Sequence, residues 1–329
     1  MNRPVAKPLT PQLLSLLDRS SRTFALTIPL LHDHLRGPVG LAYLILRAAD
    51  GLEDSTDIAL DERISLMMLL VADIQRGEAS AALQSNCTAF ASKMVEGGER
   101  DVVANIGLLF TALSQMPDPV KHVIQDHTQR VVIRMVAWLK TSHNGVSPRI
   151  DDVGHLMDYM YAVAGIVGEL LTDLFVYEDP QQPALALKVR ASDFGAALQL
   201  TNIIKDVAVD DAEGRRFLPD DLYYVGQPDG QERLAALISL ARSRIAIAIE
   251  YICLMTPTAV ESRLFCLVPI VLSLGTLQAL TERAADVVDG KVVKIDRTRV
   301  AVLVTQAQAA VATNEGVRAL HRELDAVLG

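Results

Sequence analysis

Apolar residues recur at helical spacing along almost the whole chain, and this pattern constrains the fold more than any other feature. Segments rich in Ala, Leu, Glu, Gln and Arg carry apolar residues every three or four positions, which is typical of amphipathic helices. Alternating apolar and polar runs, the usual sign of half-buried strands, are scarce, and aromatic residues make up only 5% of the chain. The sequence therefore predicts an all-α protein.

Breaks rich in Gly and Pro divide the chain into nine or ten predicted helices. We place them at Arg36–Pro38, near Gly97, at 116–119, 144–148, 178–183, 211–220 and 226–230, and at Pro257. No repeat, low-complexity tract or shift of composition marks a linker. We therefore expect residues 1–329 to form one domain, with residues 1–19 as a loosely attached N-terminal segment.

The composition predicts a large apolar interior, because half of the 329 residues are apolar and the mean hydropathy is +0.25. The longest apolar stretch, Leu264 to Leu280, contains Pro269 and several polar residues, so it falls short of a bilayer span. The first residues lack the apolar segment of a secretory signal. We expect no transmembrane helix and a cytoplasmic location.

Charge and reactive side chains exclude several classes of protein. The formal net charge of −9 disfavours binding to nucleic acid or to an anionic lipid surface. The three cysteines have no zinc or disulfide spacing, so we expect free thiols. The seven histidines are scattered, and we interpret these five as surface or capping residues rather than ligands: His32, His34, His122, His127 and His143.

The segment LAYLILRAADGLEDS contains a first polar stripe. Its members Tyr43, Arg47, Asp50 and Asp54 are spaced four, three and four residues apart, and they lie within about 60° of arc on a helix. Glu53 stands at the edge of the stripe. The intervening apolar residues indicate burial, and buried carboxylates a turn apart need a positive partner. The spacing therefore favours a metal ion at this helix.

The segment LQLTNIIKDVAVDDAEGRRFLPDDL repeats the arrangement. Gln199, Asn202, Asp206 and Asp210 recur at three and four residues and span about 80° of a helix. Oxygen ligands without His or Cys select hard cations such as Mg²⁺. The alternative interpretation is that each motif is a solvated surface patch. This interpretation is less favoured because both motifs lie in apolar helices and both have cationic neighbours. Two such helices facing each other would hold a diphosphate through metal ions.

At these residues the sequence resembles the squalene and phytoene synthase family. The resemblance runs from about Ser20 to Val293 through SSRTF, YLILRAADGLED, AVAGIVG, LTNIIKDVAVDD and GRRFLP, in the family's order. The segments FCLVPIVLSLGTL and DGKVVKI are closer in pattern to squalene synthases. The resemblance implies an all-α isoprenoid synthase bundle around a central apolar cavity, and head-to-head joining of two prenyl diphosphates, with farnesyl diphosphate as the expected substrate.

The resemblance also implies residue roles. Asp50, Glu53 and Asp54 match the first magnesium motif, and Asp206 with Asp210 matches the second. Tyr43, Arg47 and Tyr161 are the implied catalytic residues. Lys294 is the implied contact for NADPH. The implied substrate-binding residues are Ser21, Arg22, Gln199, Asn202 and Arg215.

Three departures from the family pattern bear on activity. Val209 stands where the second motif often has Glu, and Ala162 replaces a Tyr that precedes the VAG segment in many squalene synthases. Asp296 stands where an arginine is expected beside Lys294, and a carboxylate there should repel a cofactor phosphate.

The implied reaction is a magnesium-dependent condensation through presqualene diphosphate to squalene, a triterpene, with hydride from NADPH. The open alternatives are an enzyme that stops at presqualene diphosphate, one that gives a non-reduced product such as dehydrosqualene, hydroxysqualene or a phytoene-like chain, and a non-catalytic homologue that binds prenyl diphosphates or serves as an assembly subunit. Release of so apolar a product suggests a peripheral membrane contact.

Overall fold

The computed structural model describes residues 8–21, 23–142 and 145–328, and within these residues it contains helices and no strand. The all-α prediction is confirmed. The helices are α1 Pro11–Ser20, α2 Thr23–Thr27, α3 Asp33–Glu53, α4 Leu60–Arg76, α5 Ala81–Ala91, α6 Gly98–Ala104, α7 Ile106–Ser114, α8 Asp118–Leu139, α9 Val153–Met160, α10 Ile166–Glu178, α11 Ala184–Ala212, α12 Gly230–Leu254, α13 Val260–Glu282, α14 Ala284–Val288, α15 Arg297–Ala310 and α16 Asn314–Asp325. A π-helical turn, Tyr161–Gly165, links α9 to α10.

The helices form two compact units. Unit 1 is the described part of residues 1–146 together with 170–179, and unit 2 is the described part of 147–169 and 180–329. The single-domain expectation stays a prediction.

In unit 1, α3 packs against α4, α6 and α8. Its apolar side is fully enclosed, since Leu41, Leu44 and Ile45 have no exposed surface. This packing orients α3, so the polar stripe on its other side has a defined direction.

The N-terminal helix α1 is packed in unit 1. Thr10 caps its first turn through a hydrogen bond from the Leu13 nitrogen. Leu13, Leu16 and Leu17 are at most 3% exposed, and the helix contacts α3 and α6. From Pro11 onward the N-terminal segment is therefore packed rather than loosely attached, because its leucine face fills a space between helices.

In unit 2, the long helix α11 lies along α12 and also contacts α13. Helix α13 is the apolar centre of this unit, with Cys266, Leu267 and Ile270 wholly buried. The backbone of α11 is thereby held along its length, which sets the direction of the second polar stripe.

The predicted break at Arg36–Pro38 is wrong, because α3 runs through Pro38. The missing N–H of a proline removes one intrahelical hydrogen bond, and here the apolar packing around Gly37 and Pro38, both buried, keeps the helix intact. Pro269 lies within α13 in the same way.

Two helical stretches are long and apolar enough to cross a membrane by length and composition, Val153–Glu178 and Val260–Glu282. Of their most apolar windows, 61% and 78% are buried inside the protein. Core helices of soluble proteins pass the same test, so these stretches are weak evidence for membrane association.

Candidate functional site

The first polar stripe lies on the C-terminal half of α3. Tyr43, Arg47, Asp50 and Glu53 are helical, and Asp54 is the C-cap, with its backbone nitrogen 2.8 Å from the carbonyl oxygen of Asp50. The helical periodicity that the sequence predicted for this segment is therefore present.

Asp50 is the carboxylate most perturbed by its surroundings. Burial of the carboxyl group raises its pKa to about 7, an effect that Arg47 opposes and Asp54 strengthens. The side chain nevertheless keeps 39% of its surface exposed. A carboxylate held by protein on one side and open on the other is suited to a cationic ligand.

Arg47 connects the stripe to α6. Its Nη1 donates to Asp50 Oδ2 at 3.3 Å, and its Nη2 forms an ion pair with Glu99. Its Nε is buried and has no hydrogen-bond partner among the described residues. A guanidinium with an unsatisfied buried donor is suited to an anion. Sequence reasoning missed Glu99, which lies 52 positions away from Arg47 with no motif of its own.

Tyr43 is held by the end of α1. Its hydroxyl donates to the carbonyl of Ser20 at 3.1 Å, and its ring lies 5.1 Å from that of Phe24. Ser21 accepts a hydrogen bond from the Phe24 nitrogen at 2.9 Å and also contacts the Tyr43 hydroxyl. The structure thus brings Tyr43 and Ser21 together, whereas Arg22 lies outside the described residues.

The second polar stripe lies on α11. This helix carries, in order, Gln199, Asn202, Asp206 and Asp210, of which Asn202 is exposed. The apolar residues of the same segment, Ile203 and Ile204, are buried. This arrangement is the one that the spacing predicted.

Both carboxylates of the second stripe have cationic partners. Lys205 forms an ion pair with Asp206, and Arg215 reaches Asp210 Oδ1 with its Nη2 at 3.0 Å. Burial raises the pKa of Asp210, although Arg215 acts in the opposite direction. Arg215 therefore lies beside the second stripe, and its partner is the carboxylate of Asp210; its role in substrate binding stays a prediction.

The loop after α11 folds back over the end of that helix. Gly214 has φ of 72°, a conformation that favours glycine, and the nitrogen of Arg215 then donates to the carbonyl of Asp210 at 2.7 Å. A small pocket at this turn is lined by Ile203, Val207, Asp210, Arg215, Arg216, Phe217, Leu218 and Tyr223. Tyr223, which sequence reasoning missed, lies under the Arg216 guanidinium at 3.9 Å.

Tyr161 begins the π-helical turn that precedes α10. The glycines of this segment serve close packing, since a Cβ on Gly168 would lie 1.9 Å from the carbonyl oxygen of Ala191. A Cβ on Gly195 would lie 2.0 Å from that of Ala164. The AVAGIVG segment therefore lies directly on α11. Single π-turns are frequent at functional sites, and the role of Tyr161 stays a prediction.

Lys294 is exposed in the segment before α15. Asp296 is the N-cap of that helix, and its Oδ1 accepts from the Arg299 nitrogen at 2.7 Å. The unexpected carboxylate thus has a structural role as a helix cap. Arg299, three positions later, donates to Gln278 Oε1 at 2.8 Å.

The donor set fits a hard divalent cation. Each stripe presents Asp or Glu oxygens, and each contains a carboxylate whose pKa burial raises, Asp50 in unit 1 and Asp210 in unit 2. A cation bound at either stripe would relieve the cost of ionising the carboxylate of that stripe.

The backbone agrees with a known fold over almost its whole length. The squalene synthase TcSQS in complex with the ligand E5700 matches with a TM-score of 0.78 at 20% identity, covering 97% of this chain and 91% of that one. A dehydrosqualene synthase in complex with a ligand matches with a TM-score of 0.55 at 18% identity, covering 90% and 94%. The fold is thus the all-α fold of squalene synthases.

Sequence comparison identifies the family. The profile described as squalene/phytoene synthase matches residues 17–299, and the chain belongs to this family of prenyltransferases. The squalene synthases of Eremothecium gossypii and Homo sapiens are each 28% identical to it, over 276 and 278 residues. These alignments cover 80% of this chain and 60% and 61% of the relatives. The chain therefore spans about three fifths of the length of these curated relatives.

Proposed function

We propose that this protein joins two molecules of farnesyl diphosphate head to head through presqualene diphosphate, in a reaction that requires Mg²⁺, and that squalene is its final product when NADPH is supplied as the hydride donor. The observation that carries the proposal is the pair of helical stripes on α3 and α11, each with a carboxylate of raised pKa beside an arginine. The sequence similarity to the squalene synthases of Eremothecium gossypii and Homo sapiens supports the squalene product.

Asp50, Glu53 and Asp54 on one stripe, and Asp206 and Asp210 on the other, would hold the magnesium ions. When bound, Mg²⁺ neutralises diphosphate charge and makes the diphosphate a better leaving group. The protein's own cations have the complementary task of orienting this group, and Gln199 and Asn202 supply neutral polar contacts on the second stripe.

Arg47 is the protein donor best suited to the departing diphosphate. Its buried Nε has no partner in the described part of the chain, and its Nη1 makes a long hydrogen bond to Asp50. Both donors gain by contact with phosphate oxygens. The Tyr43 hydroxyl, fixed by Ser20, lies one turn earlier on α3 and steadies the same group.

Allylic cations react with water, so the reacting carbons need an apolar enclosure. The large apolar fraction of the chain supplies the side chains for such a cavity. We also propose a cytoplasmic location, with a peripheral membrane contact through which an apolar product leaves.

The described residues do not form a recognisable site for NADPH. Lys294 is exposed, Asp296 caps α15, and Arg299 is bound to Gln278. We therefore derive no step through this cofactor. Presqualene diphosphate or a non-reduced C30 product is the alternative outcome, and a prenyl-diphosphate-binding homologue or assembly subunit is the non-enzymatic one.

The test is incubation of the purified protein with farnesyl diphosphate and Mg²⁺, with and without NADPH, followed by mass spectrometry of the dephosphorylated products. Squalene formed only with NADPH supports the full proposal. Presqualene alcohol or a non-reduced C30 product in both reactions supports the condensation and contradicts the reductive step. Tight substrate binding without diphosphate release would overturn the enzymatic proposal.

Asp50→Asn and Asp206→Asn test the metal assignment in the same assay. We expect each to abolish magnesium-dependent diphosphate release. Asp18→Asn is a matched control, because Asp18 is exposed on α1 and carries no proposed role. Unchanged turnover in both stripe variants would refute the assignment.

A further inference from the structure

Three potential metal ligands meet in unit 1 at the other end of α3 from the acidic stripe. They are His32, His34 and Glu178, and one ligand atom from each lies within 4.8 Å of the others. His32 and Asp50 are separated by 18 positions, which corresponds to about 27 Å along a helix. The cluster is thus a separate feature from the proposed magnesium motif.

The distances within the cluster suit a shared ion. His34 Nδ1 lies 2.9 Å from Glu178 Oε1, and His32 Nδ1 lies 3.7 Å from the same oxygen. Ligand atoms about 2.1 Å from a tetrahedral Zn²⁺ are roughly 3.4 Å apart. The two observed separations bracket this value, so small side-chain rotations would bring all three atoms to one ion.

Buried neighbouring residues hold the backbone that carries these ligands. Leu31 and Leu35, which flank the histidines, are 0% and 3% exposed. Phe175 and Leu174, in the turn of α10 before Glu178, are each 1% exposed. Fixed backbones limit the entropy lost when side chains are ordered around an ion.

The side chains themselves keep contact with solvent. His32 is 53% exposed, His34 is 39% exposed and Glu178 is 28% exposed. An ion can therefore enter, and water can complete its coordination. The existing hydrogen bond from the His34 nitrogen to His32 Nδ1 is 3.5 Å long, so little is lost when His32 turns toward an ion.

The chemistry of the ligands selects the metal. Two imidazoles and one carboxylate are a set that Zn²⁺ and related transition metals prefer, whereas Mg²⁺ prefers oxygen ligands alone. Glu178 is the last residue of α10, and the C-terminal end of a helix favours a cation.

We propose that His32, His34 and Glu178 form a second metal site, specific for a transition-metal dication such as Zn²⁺, that ties the end of α10 to the start of α3. This site does not depend on the proposed synthase activity. Because an ion there binds only the folded chain, it stabilises unit 1.

The test is calorimetric titration of the full chain with Zn²⁺ in excess Mg²⁺, which keeps the acidic stripes occupied. We expect one Zn²⁺ per chain and a rise in melting temperature that a chelator reverses. His34→Ala and Glu178→Gln should weaken binding at least about tenfold, as loss of supporting ligands does elsewhere. His32→Ala should do the same.

His122→Ala is the matched control, because His122 is exposed on α8 and away from the cluster in sequence. It should bind Zn²⁺ as the unchanged protein does. Circular dichroism without metal checks that each variant is folded, and the absorption of bound Co²⁺ reports the imidazole ligands directly. The proposal is overturned if the unchanged protein binds no Zn²⁺, if the ligand variants bind it equally well, or if His122→Ala loses binding to the same degree.

Discussion

The buried guanidinium of Arg63 donates a hydrogen bond to the backbone carbonyl of Glu53, the last residue of α3. Its Nη2 donates to the carbonyl of Gly145, and the side chain is only 1% exposed. The final carbonyls of a helix lack intrahelical partners. Arg63 therefore provides a hydrogen-bond donor for one of these carbonyls, at the end of the first predicted metal motif.

Replacing Arg63 by Met should destabilise unit 1. Two part-buried carbonyls lose a charged donor, and hydrogen bonds to charged groups contribute about 1.5–3 kcal/mol each, so we expect a loss on the order of 3 kcal/mol in the free energy of unfolding. Urea denaturation measures it. Arg297→Met is the control, since Arg297 is exposed, and an equal loss there would refute the explanation.

Replacing Arg47 by Met should reduce turnover more than substrate binding. If Arg47 contacts the leaving diphosphate, its loss should lower kcat by about 10²–10³, the usual effect of removing one donor to a developing anion. Steady-state kinetics of diphosphate release measure this. Glu99→Gln keeps Arg47 but removes its partner on α6, and it should have the smaller effect. The reverse order would show that Arg47 acts only in packing.

Replacing Gly168 by Ala should separate the π-turn segment from α11. The added methyl group would lie 1.9 Å from the carbonyl oxygen of Ala191, and overpacking of this kind typically costs about 1–3 kcal/mol or more. Thermal denaturation measures the loss. Gly97→Ala is the control, because no atom lies within 4 Å of the added methyl group there. Equal stability of the two variants would contradict the observed close contact.

Replacing Asp296 distinguishes its capping role from its charge. Asp296→Ala removes the N-cap of α15 and should cost about 1 kcal/mol, whereas Asp296→Asn keeps a capping oxygen. Chemical denaturation checks both values. If the carboxylate repels NADPH, Asp296→Asn should also lower the KM for NADPH. A stable Asp296→Ala variant would show that the cap contributes little.

The contribution of His321 to stability should fall as pH decreases below about 6.5, whereas Asp50, with its pKa raised to about 7, contributes in the opposite direction over this range. Burial lowers the pKa of His321 below its ordinary value of 6.5, although Asp325 acts in the opposite direction. Its buried Nε2 has no hydrogen-bond partner in the described part of the chain. The unfolded chain therefore binds a proton at this histidine at a higher pH than the folded chain does. The contribution of His321 to the free energy of unfolding thus decreases as pH falls through about 6.5.

In urea denaturation, His321→Gln should remove the His321 contribution to the pH dependence of the free energy of unfolding. His122→Gln should leave that pH dependence unchanged. Asp325, whose pKa is lowered by its hydrogen bond from Arg242, loses its contribution only at more acidic pH and does not account for the same window. An unaltered slope in His321→Gln would contradict the assignment.

The helical periodicity allowed the stripes on α3 and α11 to be predicted in full, because positions three and four apart in a helix must share a face. The break assigned at Pro38 failed because packing around a buried proline outweighs one missing hydrogen bond. The departure at Asp296 had no explanation in sequence, and the structure supplies one in the cap of α15.

The amino-acid sequence alone determined the all-α class, the two acidic stripes and the family, since each depends on the order of neighbouring residues. Only the tertiary structure decided which distant side chains meet these motifs: Arg63 at Glu53, Glu99 at Arg47, and Glu178 at His34. Such partners are 10 to 144 positions apart, and no local pattern marks them. They are brought together because burial of the apolar helix faces fixes where each backbone lies, and polar side chains then pair with whatever that packing places beside them.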